Sequence, residues 1–562
     1  MSQEGIVRSG GELFADRGPD GLITRGFLRG AGRSSAAVGA APVIGIANTW
    51  SELNPCNGGL RELAEQVKRG VIAAGGLPLE FPTISLAEAF VRPSSMYLRN
   101  LLAMDTEEMI VGSPIDGVVL LGGCDKTIPA QLMGALSAGK PALALAAGPR
   151  PLSRWRGEEM AVEQLWPLID ERRAGRLSDD DWSALEACLS CGVGTCNVMG
   201  TATTMAVVAE VLGMALPGTA LLPASSAARA AAAEETGRAI VERARAGLVP
   251  ADVVTESALH NAFRAICAVG GSTNAVLHLT AMAGRLGLSL PAERLQNLSD
   301  TTPLVADVKP SGTRFLHDFQ SDGAVPALMG ALAGLADLDQ LSGADRPWRD
   351  DVVARPDTAR CLRSPDDPAG PASSLTMLRG SLAPSGALLK RSAASKHLLA
   401  HRGPAVVFDG VEDLHRRIDD PTLGIGESSV LVLRGVGPVG GPGMPEVGHL
   451  PIPTALLNRG VTDMVRVSDA RMSGTATGTV VLHVAPESAV GGPLGVVRDG
   501  DLIELDVAAN RIDLLVDARE LHSRTTTFTA KAAARGYERL YLAHVGQADT
   551  GCDFDFLRGV PQ

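Results

Sequence analysis

Three cysteines far apart in the chain each sit in a turn marked by glycine or proline: Asn54-Pro55-Cys56-Asn57, Gly122-Gly123-Cys124-Asp125-Lys126-Thr127 and Gly194-Thr195-Cys196-Asn197. Three thiolates can hold an iron–sulfur cluster and leave one iron position open, which makes that iron a Lewis acid as well as an electron carrier. The second turn also sets a soft ligand, Cys124, beside Asp125 and Lys126. Two further acids, Glu88 in Ser85-Leu86-Ala87-Glu88 and Glu446 in Gly441-Pro442-Gly443-Met444-Pro445-Glu446, offer the oxygen ligands that a Mg2+ takes. A Lewis-acidic iron next to a hard cation suits removal of a hydroxyl group from a polyhydroxylated acid.

Each feature has a plainer reading. The cysteines lie 68 and 72 residues apart, so spacing alone defines no metal site. An Asp-Lys pair is usually a surface ion pair, and an isolated Glu a solvated carboxylate. Cys188-Leu189-Ser190-Cys191 is a local competitor that could join Cys196 in a zinc or cluster site. What favours the three turn cysteines is their surroundings, which Cys267 and Cys361 lack. Ser473, in Ser468-Asp469-Ala470-Arg471-Met472-Ser473-Gly474-Thr475, ends a strand pattern at a glycine-flanked turn, where serine most often serves the turn itself. No G-x-S-x-G elbow surrounds it. Beside a metal cluster, a serine hydroxyl with a lowered pKa can act as a base.

The elements that must position these residues are legible as alternating patterns. Val43-Ile44-Gly45-Ile46-Ala47 reads as a strand, followed by Leu60, Leu63, Val67 and Val71 at helical spacing and a stop at Gly75-Gly76. Similar apolar runs recur at Gly117–Leu121 and Ala142–Ala146. Continuous apolar strands between helices predict a doubly wound α/β domain with a parallel sheet, over residues 1–372. Cys56 and Cys124 each follow such a strand, and loops at the carboxyl ends of parallel strands are where these folds bind ligands. The breakers of Arg355-Pro356-Asp357 and Pro365–Pro371 mark a junction. Beyond it, Val430 and Val432 alternate with Leu431 and Leu433, and Ile503, Leu505 and Val507 precede a turn and a return strand. Residues 373–562 are therefore expected to form a β-rich, barrel-like domain carrying Ser473.

Composition limits the function classes. A chain of 562 residues exceeds the ~250–300 at which a single core stops growing. Hydrophobic residues make up 45% and charged residues 20%, a globular balance. The formal net charge of −12 argues against a nucleic-acid partner, which needs a basic surface. No run approaches the ~18 apolar residues of a membrane span, and the first residues do not read as a secretory signal. Eight cysteines are few for this length and fit a reducing compartment, so the expectation is a cytoplasmic protein acting on small molecules.

With these residues in view, the chain resembles the family of dihydroxy-acid dehydratase, phosphogluconate dehydratase and the sugar-acid (aldonate) dehydratases. The resemblance runs through Gly122–Pro129, Gly194–Ala202, Val269-Gly270-Gly271-Ser272-Thr273-Asn274, Gly443–Glu446 and His483-Val484-Ala485-Pro486-Glu487, in the family's order. The stretch Ser468–Thr475 is similar to the sugar-acid branch; the branched-chain amino-acid branch typically reads Thr-Asp-Gly-Arg-Phe-Ser-Gly-Gly there. The closing Gly551–Leu557 also resembles the sugar-acid branch. The resemblance implies that Cys56, Cys124 and Cys196 hold the cluster, and a cysteine at position 56 favours [2Fe–2S] over an oxygen-labile [4Fe–4S]. It further implies Mg2+ ligation by Glu88, Asp125, a carbamylated Lys126 and Glu446, with Ser473 as the base. A homodimer or dimer of dimers is implied as well. The reaction expected is dehydration of an aldonate to a 2-keto-3-deoxy acid. The alternatives are a dihydroxy-acid dehydratase and, in another class, an iron–sulfur electron-transfer or sensing protein.

Overall fold

Apolar β-branched runs separated by helices produce a first sheet of four parallel strands in the computed structural model, which describes residues 10–39, 42–446, 450–524, 528 and 533–560. Its strands are β1 (Val43–Asn48), β2 (Leu77–Pro82), β3 (Gly117–Gly122) and β4 (Ala142–Ala146), in the order β2-β1-β3-β4. Every residue of β1 and β3 is buried, because helices cover both faces. On one face Ile44, Ile46, Val119 and Leu121 meet Leu60, Leu63, Val67 and Val71 of the helix Leu60–Ala73 and Ile240 of the helix Ala227–Ala246. On the other, Val43, Ala47, Val118 and Leu120 meet Leu102 and Ile110 of Arg99–Gly112 and Met133 of Thr127–Ala138. This is the doubly wound arrangement expected from the sequence. A short hairpin, β5 (Ser153–Trp155) and β6 (Glu158–Met160), follows. The helices Thr201–Val211, Glu256–Ala268 and Thr273–Arg285 then extend the same core.

The second sheet has eight strands: β7 (Thr376–Leu378), β8 (Gly386–Leu389), β9 (Ala400–Asp409), β10 (Val430–Arg434), β11 (Arg466–Ser468), β12 (Val480–Ala485), β13 (Leu502–Asp506) and β14 (Arg511–Leu514). Their order is β14-β13-β9-β10-β11-β12-β8-β7. The sheet nearly closes on itself: beside β7, the Arg379 N–H donates to Asn510 O at 2.9 Å and Arg379 O accepts from the Ile512 N–H at 3.0 Å. The alternation read in β10 has a direct meaning. Val430 and Val432 face the barrel interior with Val407, Val467, Val481 and Ile503, while Leu431 and Leu433 face outward onto Phe408, Leu414, Ile452 and Leu457.

Two features go beyond the sequence reading. Strands β9 to β12 are mutually parallel, flanked by antiparallel neighbours, so the barrel is mixed. The breaker-rich stretch before β7 has no helix or strand, yet its Cys361, Leu362 and Leu375 are buried in the first core. The Asp322 carboxylate accepts from the N–H groups of Arg360, Cys361 and Leu362, which satisfies that irregular backbone. No described helix is long and apolar enough to cross a membrane.

Lys390, just after β8, is 6% exposed, and its Nζ has no hydrogen-bond or ion-pair partner among the described residues. Burial alone pushes its pKa down to about 7. The unfolded chain, with a lysine pKa near ~10.4, therefore holds more protons between these values, and stability rises with pH across that window. Lys390→Met should raise stability at pH 7 by about 2–4 kcal/mol, and the gain should shrink by more than half at pH 9.5, as read by denaturant unfolding at both pH values. An equal gain at the two pH values would show that the ammonium is not the source.

Candidate active site

The carboxyl edge of the first sheet gathers the cysteine turns. Cys56 lies in the short helical turn Pro55–Asn57 after β1, and Cys124 lies between β3 and the helix Thr127–Ala138. Asn57 links the two turns: its Nδ2 donates to Thr49 O at 3.0 Å, and its Oδ1 accepts from the Cys124 N–H at 3.1 Å. Gly123 permits this approach, because a Cβ there would sit 2.4 Å from Asn57 Oδ1. Thr127 fixes the far side, its Oγ1 accepting from the Gly123 N–H and donating to Cys124 O, both at 3.0 Å. Cys196 arrives from a distant loop that is latched to the segment after β4 by Thr195 N–H to Gly148 O at 2.9 Å and Arg150 N–H to Thr195 O at 3.0 Å.

The thiols are electrostatically linked. Cys56 and Cys124 hydrogen-bond to each other; that bond, with Arg150 nearby, pulls the Cys56 thiol below its ordinary value, whereas the same bond and burial push Cys124 well up. Burial, and then the charge of Asp125, push Cys196 up to about 12. Cys56 and Cys124 thus interact directly, and Cys196 lies within electrostatic reach of Cys56. The local alternative does not join them: Cys188 ends a helix and hydrogen-bonds to Leu185 O, while Cys191 is exposed. Cys267, Cys361 and Cys552 are buried elsewhere, against Ser299, Asp307 and Met444.

Beside Cys124, oxygens of Glu88, Asp125 and Glu446 lie within 4.8 Å of one another. Glu88 comes from the loop after β2, Asp125 from the end of β3, and Glu446 from the loop after β10, so both sheets supply the site. Lys126, fully buried, stands among them, its Nζ 3.1 Å from Glu88 Oε2 and 3.8 Å from both Asp125 Oδ2 and Glu446 Oε2. Arg471 reaches in from the other sheet, 3.2 Å from Glu446 Oε2 and 3.6 Å from Glu88 Oε1. It is anchored by Met444 O and Ser94 Oγ, each at 2.9 Å, and Ser95 Oγ hydrogen-bonds to Glu88. Burial opposes ionisation of Glu88, but Lys126 and Arg471 outweigh it and hold the carboxyl at about 2. Glu446 goes the other way, raised to about 7 by burial and by repulsion from Glu88. Burial also raises Asp125.

Three half-buried carboxylates face two fixed cations, and Glu446 resists ionising at neutral pH. A further positive charge is what such a cluster favours, and a donor set of oxygens selects a hard cation. The oxygens therefore fit a hard divalent cation such as Mg2+, and the cysteine turns next to them offer soft thiolate ligands. An unmodified Lys126 ammonium lies where a cation would sit, so it must be displaced or converted to an oxygen ligand for one to bind there.

Ser473 lies in the loop between β11 and β12, two residues beyond Arg471. Its Oγ is 2.8 Å from Thr475 Oγ1, which also accepts from Trp166 Nε1 at 2.8 Å. Asn274 Nδ2 holds this loop through Met472 O at 3.3 Å and reaches Thr201 Oγ1 at 3.1 Å. A Cβ on Gly474 would meet Ser272 Oγ at 2.6 Å and Thr201 N at 2.9 Å. The glycine-rich motifs at 194–202 and 269–274 thus form the bed on which the serine loop rests. Other motif residues brace the Glu446 loop: the Glu487 carboxylate accepts from the Val439 and Gly440 N–H groups at 2.8 Å each, and Asp469 accepts from Val436 at 3.1 Å. His483 in the same motif is held at about 3 by burial and Arg471, so it is neutral and a weak base. A separate cavity of about 240 Å3, lined by Leu277, Leu295, Met377, Leu388 and His483, contains none of the eight predicted residues.

Arg471, Ser95, Trp166, Thr475 and Asn274 were not singled out from sequence. Arg471, Thr475 and Asn274 stood inside the quoted motifs, but a buried arginine carries no local signal that separates it from an exposed one.

A doubly wound sheet and a near-closed barrel together enclose an acid cluster beside the cysteine turns, an arrangement suited to an enzyme active site. Comparison with known proteins agrees with it. The N-terminal family model of the dihydroxy-acid/6-phosphogluconate dehydratases matches residues 41–351, and the C-terminal one matches residues 360–552. The chain is 46% identical to an L-arabonate dehydratase of Azospirillum brasilense, over 98% of this chain and 96% of the relative. It is 44% identical to a 6-deoxy-6-sulfo-D-gluconate dehydratase of Pseudomonas putida, over 92% and 90%. Identity to a dihydroxy-acid dehydratase of Mycobacterium avium (strain 104) is 38%, over 95% of each chain. The chain belongs to the dihydroxy-acid/6-phosphogluconate dehydratase family and is a hydro-lyase.

The packing around Gly474 generates a test. Gly474→Ala should push the serine loop off Ser272 and Thr201, lowering turnover roughly 10- to 100-fold while the iron content stays at the wild-type level. Wild-type turnover would show that the loop tolerates the shift.

Proposed function

We propose that the chain dehydrates a sugar acid, an aldonate, to the 2-keto-3-deoxy acid, using a [2Fe–2S] cluster held by Cys56, Cys124 and Cys196 and a Mg2+ held by Glu88, Asp125, carbamylated Lys126 and Glu446. The observation that carries this reading is the convergence of Glu88, Asp125 and Glu446 around Lys126 on the turn that also bears Cys124. When bound, the two groups would supply Lewis acids that acidify the C2 proton and accept charge from the departing 3-hydroxyl. The side chains do the rest. Ser473 removes the C2 proton, and its hydrogen bond to Thr475, itself fixed by Trp166, orients the hydroxyl. Arg471 balances the acids and stabilises negative charge that develops on the substrate beside them. Carbamylation turns the Lys126 ammonium from a competitor of the cation into a ligand for it.

Higher identity to the sugar-acid relatives than to the dihydroxy-acid ones, together with the residues Ser468–Thr475, supports the aldonate reading over 2,3-dihydroxy acids of branched-chain amino-acid synthesis. An electron-transfer or sensing protein would have no use for the acid cluster or for the bedded serine. A cytoplasmic homodimer or dimer of dimers is part of the same proposal.

A panel of aldonates and 2,3-dihydroxyisovalerate, assayed for 2-keto acid formation, tests the substrate. Turnover of at least one aldonate should exceed that of the branched-chain acid, and EDTA should abolish it while leaving the cluster absorption largely intact, since thiolates and carboxylates select different metals. Preference for the branched-chain acid would overturn the assignment. Ser473→Ala should keep iron and Mg2+ content, lose ~10²–10⁴-fold in turnover, and fail to exchange the substrate C2 hydrogen with deuterated solvent. Retained exchange would show that another residue takes the proton.

A further inference from the structure

Arg150 is a fixed cation at the cysteine turns to which the proposed reaction assigns no role. It lies four residues beyond β4, and its backbone N–H already ties it to Thr195, the neighbour of Cys196. Its guanidinium makes three more contacts in three directions. Nε donates to the same Thr195 carbonyl at 3.1 Å, Nη1 to Ser190 Oγ at 2.6 Å, and Nη2 to Cys56 Sγ at 3.6 Å. Among the described residues, no salt bridge pairs Arg150 with a carboxylate. The carbonyl and the hydroxyl are neutral acceptors, so the sulfur is the one partner able to carry negative charge. A guanidinium is planar and permanently charged, and with two of its nitrogens tethered the third is aimed at Cys56 at little entropic cost.

We propose that Arg150 is a positioning residue for the iron–sulfur cluster: its N–H···S bond to Cys56 withdraws electron density from that ligand, raises the cluster's reduction potential and slows loss of iron. The inference rests on the reading that Cys56, Cys124 and Cys196 hold the cluster. Hydrogen bonds to ligand sulfurs and nearby fixed charge are established controls on cluster potential, because the reduced cluster carries one more negative charge and gains more from a donor at sulfur. By tying Cys56 to the residue before Cys196, the same side chain also fixes the separation of two ligands. An arginine that only staples loops would change thermal stability but not potential.

Anaerobically purified wild type, Arg150→Met, Arg150→Lys and Ser190→Ala separate these roles. Wild type should hold about two irons per chain. Its midpoint potential, from a spectroscopically monitored reductive titration, should exceed that of Arg150→Met, and Arg150→Met should transfer iron to a chelator several-fold faster. Arg150→Lys should fall between them, and Ser190→Ala, which leaves the sulfur contact in place, should match wild type in potential. Wild-type potential and iron-release rate in Arg150→Met would overturn the inference, whatever its melting temperature. If Arg150→Met does not accumulate folded, Arg150→Lys decides: a potential below wild type supports the role, an equal one overturns it. A wild type that binds no iron under these conditions would overturn the cofactor reading itself, and so is distinguishable from failure of the arginine's role alone.

Discussion

The constraint on which the structure depends is the crowding of three half-buried carboxylates in one place. An isolated buried carboxylate is expensive, and a buried pair is tolerable only where geometry supplies its partners. Here Lys126 comes from the first sheet's edge and Arg471 from the second, and each touches acids from both. Neither half can satisfy the cluster alone. The seam between the sheets is accordingly polar and specific: Asn274 holds Met472 O, and Arg99 and Asn100 hold the carbonyl of Cys552 at 2.9 and 3.0 Å. Arg285 pairs with Asp553 at 2.6 Å, so the closing motif belongs to the same fastening.

Placing a thiol and a carboxylate on consecutive residues couples the two parts of the candidate site. Cys124 and Asp125 share one turn, capped by Thr127 and braced by Asn57, so neither can move without the other. A substrate bridging the two sides needs a fixed separation between them, and a rigid turn at the end of a buried strand is the shortest way to provide one.

Much of this was legible in the chain before its fold was known. The strands after which Cys56 and Cys124 fall can be read from apolar runs, and the edge of a parallel sheet predicts where ligands gather. The alternation of Val430 and Val432 with Leu431 and Leu433 announced a strand with two distinct faces. That pattern does not distinguish parallel from antiparallel neighbours, which is why the four parallel strands at the barrel's centre were not foreseen. Nor does local sequence reveal that the breaker-rich stretch before β7 packs into the first core, since its burial depends on Asp322, some forty residues earlier. Arg471 is the clearest omission. Its role comes from joining near partners, Glu446 and Met444, to Glu88 and Ser94 hundreds of residues away, a property of three-dimensional charge balance and not of spacing.

The loop that carries Glu446 shows where the cost of this preorganisation is met. Gly443 has a φ of +85°, and a Cβ there would lie 2.4 Å from the backbone nitrogen of Tyr97, while Met444 adopts a φ of +46° that L residues rarely take. The strain is held by groups outside the acid cluster: Tyr541 accepts from the Gly443 N–H at 3.0 Å, and Glu487 and Asp469 clamp the preceding N–H groups. Because those clamps touch none of the cluster's carboxylates, the scaffold shares with Arg471 the work of positioning Glu446. A carboxylate raised to about 7 by its surroundings would otherwise relax away from them. The scaffold thus keeps like charges together, which is the arrangement that a bound cation offsets most.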